Sequence, residues 1–478
     1  MKNRFYITTS IPYVNGPPHV GFALELVQAD AFARYRRLVG STVRLQTGAD
    51  ENALKNVLTA REQRVATLDL VNENTARFFD LCTALDISHD RFVRTSGGLH
   101  RRGVEKVWSR LREDDLYTKE YSGLYCVGCE DFLRERDLVD GKCIDHDAPP
   151  SEVRERNWFF RLSRYEDEIV NLIRSGSLKI VPENRRREVL SFVEQGLHDI
   201  SVSRCAAKYG GWGIPVPGDG TQVIYVWIDA LINYLSGLGF GSDGDWDATW
   251  NASTEKVHVI GKNVWKFHAI YWPALLLSAG LPVPDEIVVH GFLTENGRKI
   301  SKSHGFTIDP FDSVNDFGVD AVRYYLLRAI SSFEDGDFSI DRLKALYNAD
   351  LANGLGNLAS RVTRLCEKAA YGRYAHQGVP PAPEGYHEAF EGYRFDHALA
   401  ALGNVVTQIN RDIEIAKPWE CLNDDIQKLI PKLTEWLDAL HGIAHWIQPV
   451  LPGTAKRILE GLNADRISAF QPLFPRLR

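Results

Sequence analysis

Three sets of side chains in this sequence have types and spacings suited to chemistry. The first is His19-Val20-Gly21-Phe22, directly after the turn Pro12-Tyr13-Val14-Asn15-Gly16-Pro17-Pro18. The second is Lys299-Ile300-Ser301-Lys302-Ser303, with Gly297 before it and Gly305 after it. Donors fixed at a helix start, with lysines on a loop that can close, stabilise negative charge as it develops on a phosphate. A lysine pair is usually just solvated, and a lone histidine before a helix usually just caps it. The strand-like segment before the turn, the close backbone approach that Gly21 permits and the glycines around the lysines favour the nucleotide reading. The third set, Cys126-x2-Cys129-x13-Cys143-x2-His146, has the spacing of a closed structural zinc site. Two close pairs on two turns can wrap a tetrahedral ion with three thiolates and one imidazole. With all four positions filled by protein, such a Zn2+ staples a knuckle and leaves no open position for catalysis.

The elements that must hold these residues follow from periodicity. Arg4 to Thr9 read as a strand. Val20, Leu24, Val27, Ala31, Tyr35 and Leu38 recur at helical spacing, with Gly40 as the stop. Residues 42–47 make a second strand that runs out at Gly48-Ala49-Asp50. This is a β-α-β unit, and open parallel sheets bind ligands at the carboxyl ends of their strands, where His19 and Asp50 fall. From about 117 to 221 the pattern is interrupted by the segment that holds the cysteine cluster. Strands are expected again at 223–227, 257–260 and 287–289, with a helix over 267–279. Beyond about residue 345 helices dominate, with the proline-rich Val379-Pro380-Pro381-Ala382-Pro383 between two of them. The match Gly239-x-Gly241-x-x-Gly244 lies in an acidic loop without a strand-to-helix context and predicts no dinucleotide site.

At 478 residues the chain exceeds a single core, so two to four domains are expected. Its hydrophobic and charged shares, 44% and 25%, are those of a globular protein. A formal net charge of −7 argues against a general nucleic-acid coat protein, while a local basic surface would suffice for RNA binding. No run of 18 apolar residues is present, which predicts no membrane association. The first residues enter a strand without a signal peptide, so a cytoplasmic protein is expected. Cys82, Cys205, Cys366 and Cys421 are scattered as small buried hydrophobes usually are. An odd count of seven cysteines does not suggest a disulfide framework.

The ordered motifs, together, resemble the methionyl-tRNA synthetase family of class I aminoacyl-tRNA synthetases over nearly the whole chain. The matching stretches are Pro12 to His19, Tyr225-Val226-Trp227-Ile228-Asp229-Ala230-Leu231, His258-Val259-Ile260-Gly261-Lys262, Phe267-His268-Ala269-Ile270-Tyr271-Trp272-Pro273 and Gly318-Val319-Asp320-Ala321-Val322-Arg323-Tyr324-Tyr325. The resemblance implies an α/β fold: a Rossmann-like catalytic domain, split by a zinc-knuckle connective insertion and followed by an α-helical anticodon-binding bundle. The expected boundaries are 1–116 and 222–294 for the catalytic halves, 117–221 for the insertion, 295–344 for the lysine loop and stem-contact region, and 345–478 for the bundle. It implies ATP with Mg2+, L-methionine and tRNA(Met) as ligands. His19, Lys299 and Lys302 would be catalytic, and His19, Gly21, Phe22, Gly261, Asn263, Lys299, Ser301 and Lys302 would bind ATP. The methionine pocket would be Ile11, Tyr13, Asp50, Trp227, Ala230, Leu231, Tyr234, Val264 and His268. Asp50 would pair with the substrate ammonium, and Tyr13 and His268 would be polar handles on sulfur in an apolar, aromatic sleeve. Asn357, Arg361 and Trp419 would read the anticodon by stacking and edge hydrogen bonds, although a tryptophan in a bundle is often a core residue. The metal ligands would be Cys126, Cys129, Cys143 and His146. The end of the chain near the bundle implies a monomer that lacks the C-terminal dimerisation module some relatives carry.

The chain departs from the family pattern at three positions. Phe22 replaces the second histidine of the first signature, Asn52-Ala53 stands in place of His-Gly, and Asn263 replaces an aspartate. All three are expected on the ATP side of the cleft. Methionine activation followed by transfer to tRNA is the leading reading. The alternatives are a synthetase-like ligase with a non-tRNA acceptor, and a non-catalytic methionine or tRNA binder. Phenylalanine cannot donate a hydrogen bond to charge developing on ATP, and loss of one preorganised donor costs about 2.7–4 kcal/mol, or roughly 10²–10³ in rate. Asn52, which can donate, is the candidate to compensate. Adenylate formation is therefore expected to be slow, and Phe22→His should raise methionine-dependent pyrophosphate exchange at least several-fold. A slower Phe22→His enzyme would show instead that the cleft is built around the phenyl ring.

Overall fold

The computed structural model describes residues 3–126, 128, 130–133, 138–144, 148–244, 246–295, 298–299, 308–376, 378–424 and 426–477. The chain divides into two compact units. One comprises Met1–Pro18, Gly40–Thr83 and Ser88–His290, and the other His19–Val39, Ala84–Ile87 and Gly291–Arg478.

The first unit is organised by a six-stranded parallel sheet. Its strands in chain order are β1 (Arg4–Thr9), β2 (Thr42–Ala49), β3 (Arg91–Arg94), β4 (Lys179–Val181), β5 (Thr254–Gly261) and β6 (Glu286–His290). They lie in the order β3-β2-β1-β5-β6-β4, and every pairing is parallel. The order reverses between β1 and β5. Such a switch point opens a crevice outside the carboxyl ends of the strands. Gly48 of β2 is required by that sheet, since a Cβ there would meet the Val93 carbonyl oxygen of β3 at 2.3 Å.

Two of the expected strands, at 257–260 and 287–289, are the cores of β5 and β6. The expected strand at 223–227 is displaced: the strand is Asp219–Ile224, and Val226–Leu231 is helical, so Trp227 stands on a helix. The insertion is also less separate than its composition suggests. It carries antiparallel sheets of its own, built on the pairing of Leu116–Cys126 with Ser151–Phe160, but its Lys179–Val181 joins the main sheet as β4 beside β6. A three-residue strand at the sheet edge, with only Ile180 buried, is too short to leave an alternating pattern to read.

The second unit contains helix α1 (Val20–Leu38) and a set of helices that includes Val319–Arg328, Asn357–Lys368, Phe395–Ala416, Pro418–Asp424 and Ile426–Ile447. α1 is buried over most of its circumference, even at Gln28 and Asp30. Asp30 is tolerated there because the guanidinium of Arg323, itself fully buried, meets it at 2.7 Å. Arg323 also donates to the carbonyl oxygens of Leu85, Pro449 and Val450. A buried charge is stable only when paired and hydrogen-bonded in this way. That one side chain binds α1, the 84–87 segment and the end of the bundle into one unit.

Candidate functional site

The first unit gathers its candidate residues at the carboxyl ends of β1, β2 and β5. β1 runs on into Ile11 and Tyr13. β2 runs on into Asp50, whose backbone bridges that of Tyr13, with Asp50 N–H donating to the Pro12 carbonyl at 2.8 Å. Trp227, Ala230 and Leu231 come from the helix Val226–Leu231, and Tyr234 from the next turn. Gly261 ends β5, and Asn263, Val264 and His268 follow it.

Aromatic rings build one wall. Tyr13 leans on Trp227 with ring centroids 5.8 Å apart. Trp227 stacks flat on Phe267 at 3.8 Å and 4°. Phe267 is not among the expected pocket residues, although its place three residues after Val264 puts the two on one helical face. Behind the wall, His268 Nδ1 lies 2.9 Å from the Val264 carbonyl, which can only accept, so Nδ1 carries the proton. His268 Nε2 then accepts from the Tyr234 hydroxyl at 2.7 Å. Both ring nitrogens of His268 are thus engaged within the protein. The expectation that His268 offers a polar handle has to be corrected in this respect, because its N–H faces a backbone carbonyl. The hydroxyl of Tyr13 is different: it is buried and has no hydrogen-bond partner among the described residues. Burial first, and then the nearby Glu130 and Asp50, hold that phenol well above its usual range. Deeper still, Tyr234 stacks on His258 at 4.1 Å. His258 accepts from Trp272 Nε1 at 3.3 Å, and burial holds it neutral by lowering its pKa well below the ordinary value.

Opposite stands a group of buried carboxyls. Asp50 is 1% exposed. Its Oδ1 accepts the Asn52 backbone N–H at 3.2 Å and lies 3.5 Å from the Thr95 hydroxyl. Desolvation, with Asp229, Glu130 and Glu51 as negative neighbours, raises its pKa well above the usual carboxylate value. Two of those neighbours, Glu51 and Asp229, are better provided for. Glu51 takes a hydrogen-bonded ion pair from Arg94 at 2.7 Å and hydrogen bonds from Thr75 and Ser96. Asp229 is held by Asn52 Nδ2 at 2.6 Å and by His100, whose other nitrogen meets Ser236. Asn52 directs its amide nitrogen to Asp229 and to the Thr95 carbonyl and is 5% exposed. Its donors are committed inside the unit, so Asn52 is not available to replace a missing donor at a nucleotide.

In the second unit, His19 is the N-cap of α1. Its Nδ1 accepts the Gly21 N–H at 3.1 Å, which puts the proton of the neutral ring on Nε2. Gly21 is required by this arrangement: a Cβ there would come within 2.9 Å of the imidazole. The Phe22 ring lies 4.4 Å from that of His19. Lys299 is placed on the short strand Arg298–Lys299, whereas Ser301 and Lys302 lie outside the described residues. Asn357 and Arg361 share one face of their helix and meet at the Asn410 side-chain oxygen, at 3.3 and 3.5 Å. Trp419 is 49% exposed, which rules out a core residue.

Of the cysteine cluster, Cys126 and Cys143 are described, and both are buried. Each closes a strand, Leu116–Cys126 and Lys142–Cys143. Cys129 and His146 lie outside the described residues, and no metal-binding group of three or more ligands is found among the described ones.

Comparison with known proteins gives this geometry a context. The family profile described as tRNA synthetases class I (M) matches residues 5–148 and 136–363. A methionine–tRNA ligase of Brucella suis is 36% identical, with 99% of this chain and 98% of that protein covered. That of Caldanaerobacter subterraneus is 39% identical, covering 97% of this chain and 74% of its own length. Among solved structures, Mycobacterium tuberculosis methionyl-tRNA synthetase in complex with methionyl-adenylate superimposes with a TM-score of 0.92 at 35% identity, both chains covered in full. Its apo form gives 0.85 at 33% identity, over 100% of this chain and 99% of that one.

The carboxyl group predicts a conflict between stability and ligand binding. Because the folded-state pKa of Asp50 is raised, ionising it disfavours the fold. Stability falls as pH rises from the unfolded value, about 3.9, towards the raised one, and the whole loss is present above it. Asn at position 50 keeps the oxygen that accepts from Asn52 and removes the charge. Asp50→Asn should therefore raise the melting temperature of the ligand-free protein at pH 7.5. A lower melting temperature would show that Asp50 is compensated after all.

Proposed function

This chain belongs to the methionyl-tRNA synthetase family of class I aminoacyl-tRNA synthetases, and we propose from that premise that it is a methionine–tRNA ligase. In the first step an oxygen of the methionine carboxylate attacks the α-phosphate of ATP. The bond to the β-phosphate breaks, giving methionyl-adenylate and pyrophosphate. In the second, a hydroxyl of the terminal ribose of tRNA(Met) attacks the activated carbonyl, and AMP leaves. The observation that carries this reading is a buried, undercompensated carboxyl, Asp50, beside an aromatic wall with an unpartnered hydroxyl at Tyr13. It matches an amino acid with a cationic amine and an unbranched, polarisable side chain.

Asp50 holds the ammonium, and Tyr13, Trp227 and Tyr234, with Ile11, Ala230, Leu231, Val264 and His268, enclose the thioether. His19, with its proton on Nε2, donates to the α-phosphate as charge builds there, and Gly21 lets the backbone come close. Phe22 offers an aromatic surface and no donor, and Gly261 and Asn263 line the nucleotide. Lys299, Ser301 and Lys302 hold the leaving phosphates, with Mg2+ accompanying ATP. Asn357, Arg361 and Trp419 receive unstacked anticodon bases. The exposure of Trp419 supports that role, as does the shared placement of Asn357 and Arg361.

Three thiolates and an imidazole suit Zn2+ in a closed site, and the burial of Cys126 and Cys143 at strand ends fits such a set. Cys129 and His146 would complete it. Bound there, Zn2+ would staple the small knuckle. The division into a split catalytic domain, connective insertion, stem-contact region and anticodon bundle belongs to the same reading. No helix among the described residues is long and apolar enough to cross a membrane. A cytoplasmic monomer is the form in which we expect the enzyme to work.

Purified protein should catalyse methionine-dependent ATP–pyrophosphate exchange and charge tRNA(Met). Absence of exchange would overturn the ligase reading, and exchange without charging would point to another acceptor. Trp419→Ala should weaken charging, because base stacking worth about 1–3 kcal/mol is lost, and leave exchange nearly unchanged. Equal losses in both assays would remove Trp419 from the tRNA site.

A further inference from the structure

Helix α2 (Leu54–Gln63) begins three residues after Glu51 and has a poor start. Its N-cap position is Ala53, whose side chain makes no capping hydrogen bond. The first N–H groups of a helix have no partner within it and normally take one from a capping side chain. In α2 the acceptor comes from elsewhere. Glu130 Oε1 accepts the Lys55 backbone N–H at 2.9 Å, and a carboxylate is favoured at that end by the helix dipole as well.

Glu130 is unusual in three respects. It is completely buried. Its second oxygen, Oε2, has no hydrogen-bond partner among the described residues. Its backbone is left-handed, with φ 52°, a conformation that glutamate rarely adopts. It directly follows Cys129, in the turn between the strands Leu116–Cys126 and Asp131–Leu133. The cap is embedded in packing. Leu54 and Val57 of α2 cluster with Tyr125, Tyr209 and Val223, with Trp212 at the edge. The Trp212 indole donates to the Glu51 carbonyl at 2.7 Å. On the far side, Lys55 Nζ stands 5.1 Å from the centre of the Tyr13 ring, and Tyr13 leans on Trp227. Tyr13 and Tyr209 each carry a buried hydroxyl without a partner among the described residues, as Glu130 does with Oε2.

We propose that Glu130 is a positioning residue of the amino-acid site. The cysteine-knuckle turn delivers it to the start of α2, where it holds the Asp50–Ala53 segment and keeps Lys55 over Tyr13. The insertion is then a wall of the pocket and not merely an appendage stapled beside it. The inference rests on methionine being the ligand of that pocket.

The test uses the full-length, zinc-loaded protein. Methionine affinity is measured by calorimetry, amide exchange is followed across residues 50–57, and bound zinc is counted. Glu130→Ala should keep its zinc, exchange the first-turn amides of α2 faster and bind methionine more weakly, by roughly 2- to 30-fold, the range that loss of a helix cap spans. Glu130→Gln keeps an acceptor oxygen and should restore protection and most of the affinity. Unchanged affinity in Glu130→Ala, or lost affinity with the α2 amides still protected, would overturn the proposal. Should Glu130→Ala fail to fold, Glu130→Asp, too short by one methylene to reach the cap, is judged on the same two readouts. Wild-type protein that binds no methionine would overturn the functional reading instead, and this inference with it.

Discussion

A carboxyl group kept dry among other carboxyl groups sets the terms for the first unit. Asp229 has His100 and Asn52, and Glu51 has Arg94, Thr75 and Ser96. Asp50 has a long backbone hydrogen bond and a marginal hydroxyl contact. Glu51 and Asp229 are satisfied by their own partners and stay in place, so their field falls on Asp50. Desolvated charge is tolerated when a partner of opposite sign arrives, and an α-ammonium is a partner small enough to enter. The aromatic wall and the bridge between Tyr13 and Asp50 flank that carboxyl.

The second unit solves the same problem in the opposite way. Asp30 is as deeply buried as Asp50, but it meets Arg323 and Arg34 at 2.7 Å each. Arg323 in turn fills its remaining directions with three carbonyls. A fully satisfied ion pair holds elements together and has nothing left over for a ligand. The contrast distinguishes a structural carboxylate from a binding one on chemistry alone, because burial is the same in both.

Much of this was legible in the residues. The strand, turn, helix and strand over 4–49 announced themselves through Gly-Pro punctuation and the spacing of their apolar residues. The ligand-side position of Asp50 followed from its place at a strand end, and the pocket residues from the family likeness. The rest depended on contacts that sequence spacing does not encode. β4 is three residues long and lies on a sheet edge that only the fold reveals. Trp227 stands on a helix because the strand before it stops at Ile224. Asn52 looked able to compensate for Phe22, yet its amide is tied to Asp229, a residue 177 positions away. The cap on α2 comes from Glu130, 75 positions beyond Lys55, so the local sequence shows only an uncapped alanine.

The central claim is that Asp50 resists ionisation until a cation reaches it, and proton linkage tests this directly. Methionine binding is measured by calorimetry at mildly acidic pH in two buffers of different ionisation enthalpy. If an ammonium is what Asp50 awaits, binding stabilises its carboxylate form, and the complex releases protons to the buffer, more of them as the pH is lowered. Binding with no proton release, or with uptake, would show that Asp50 is already ionised in the empty site and would contradict the claim.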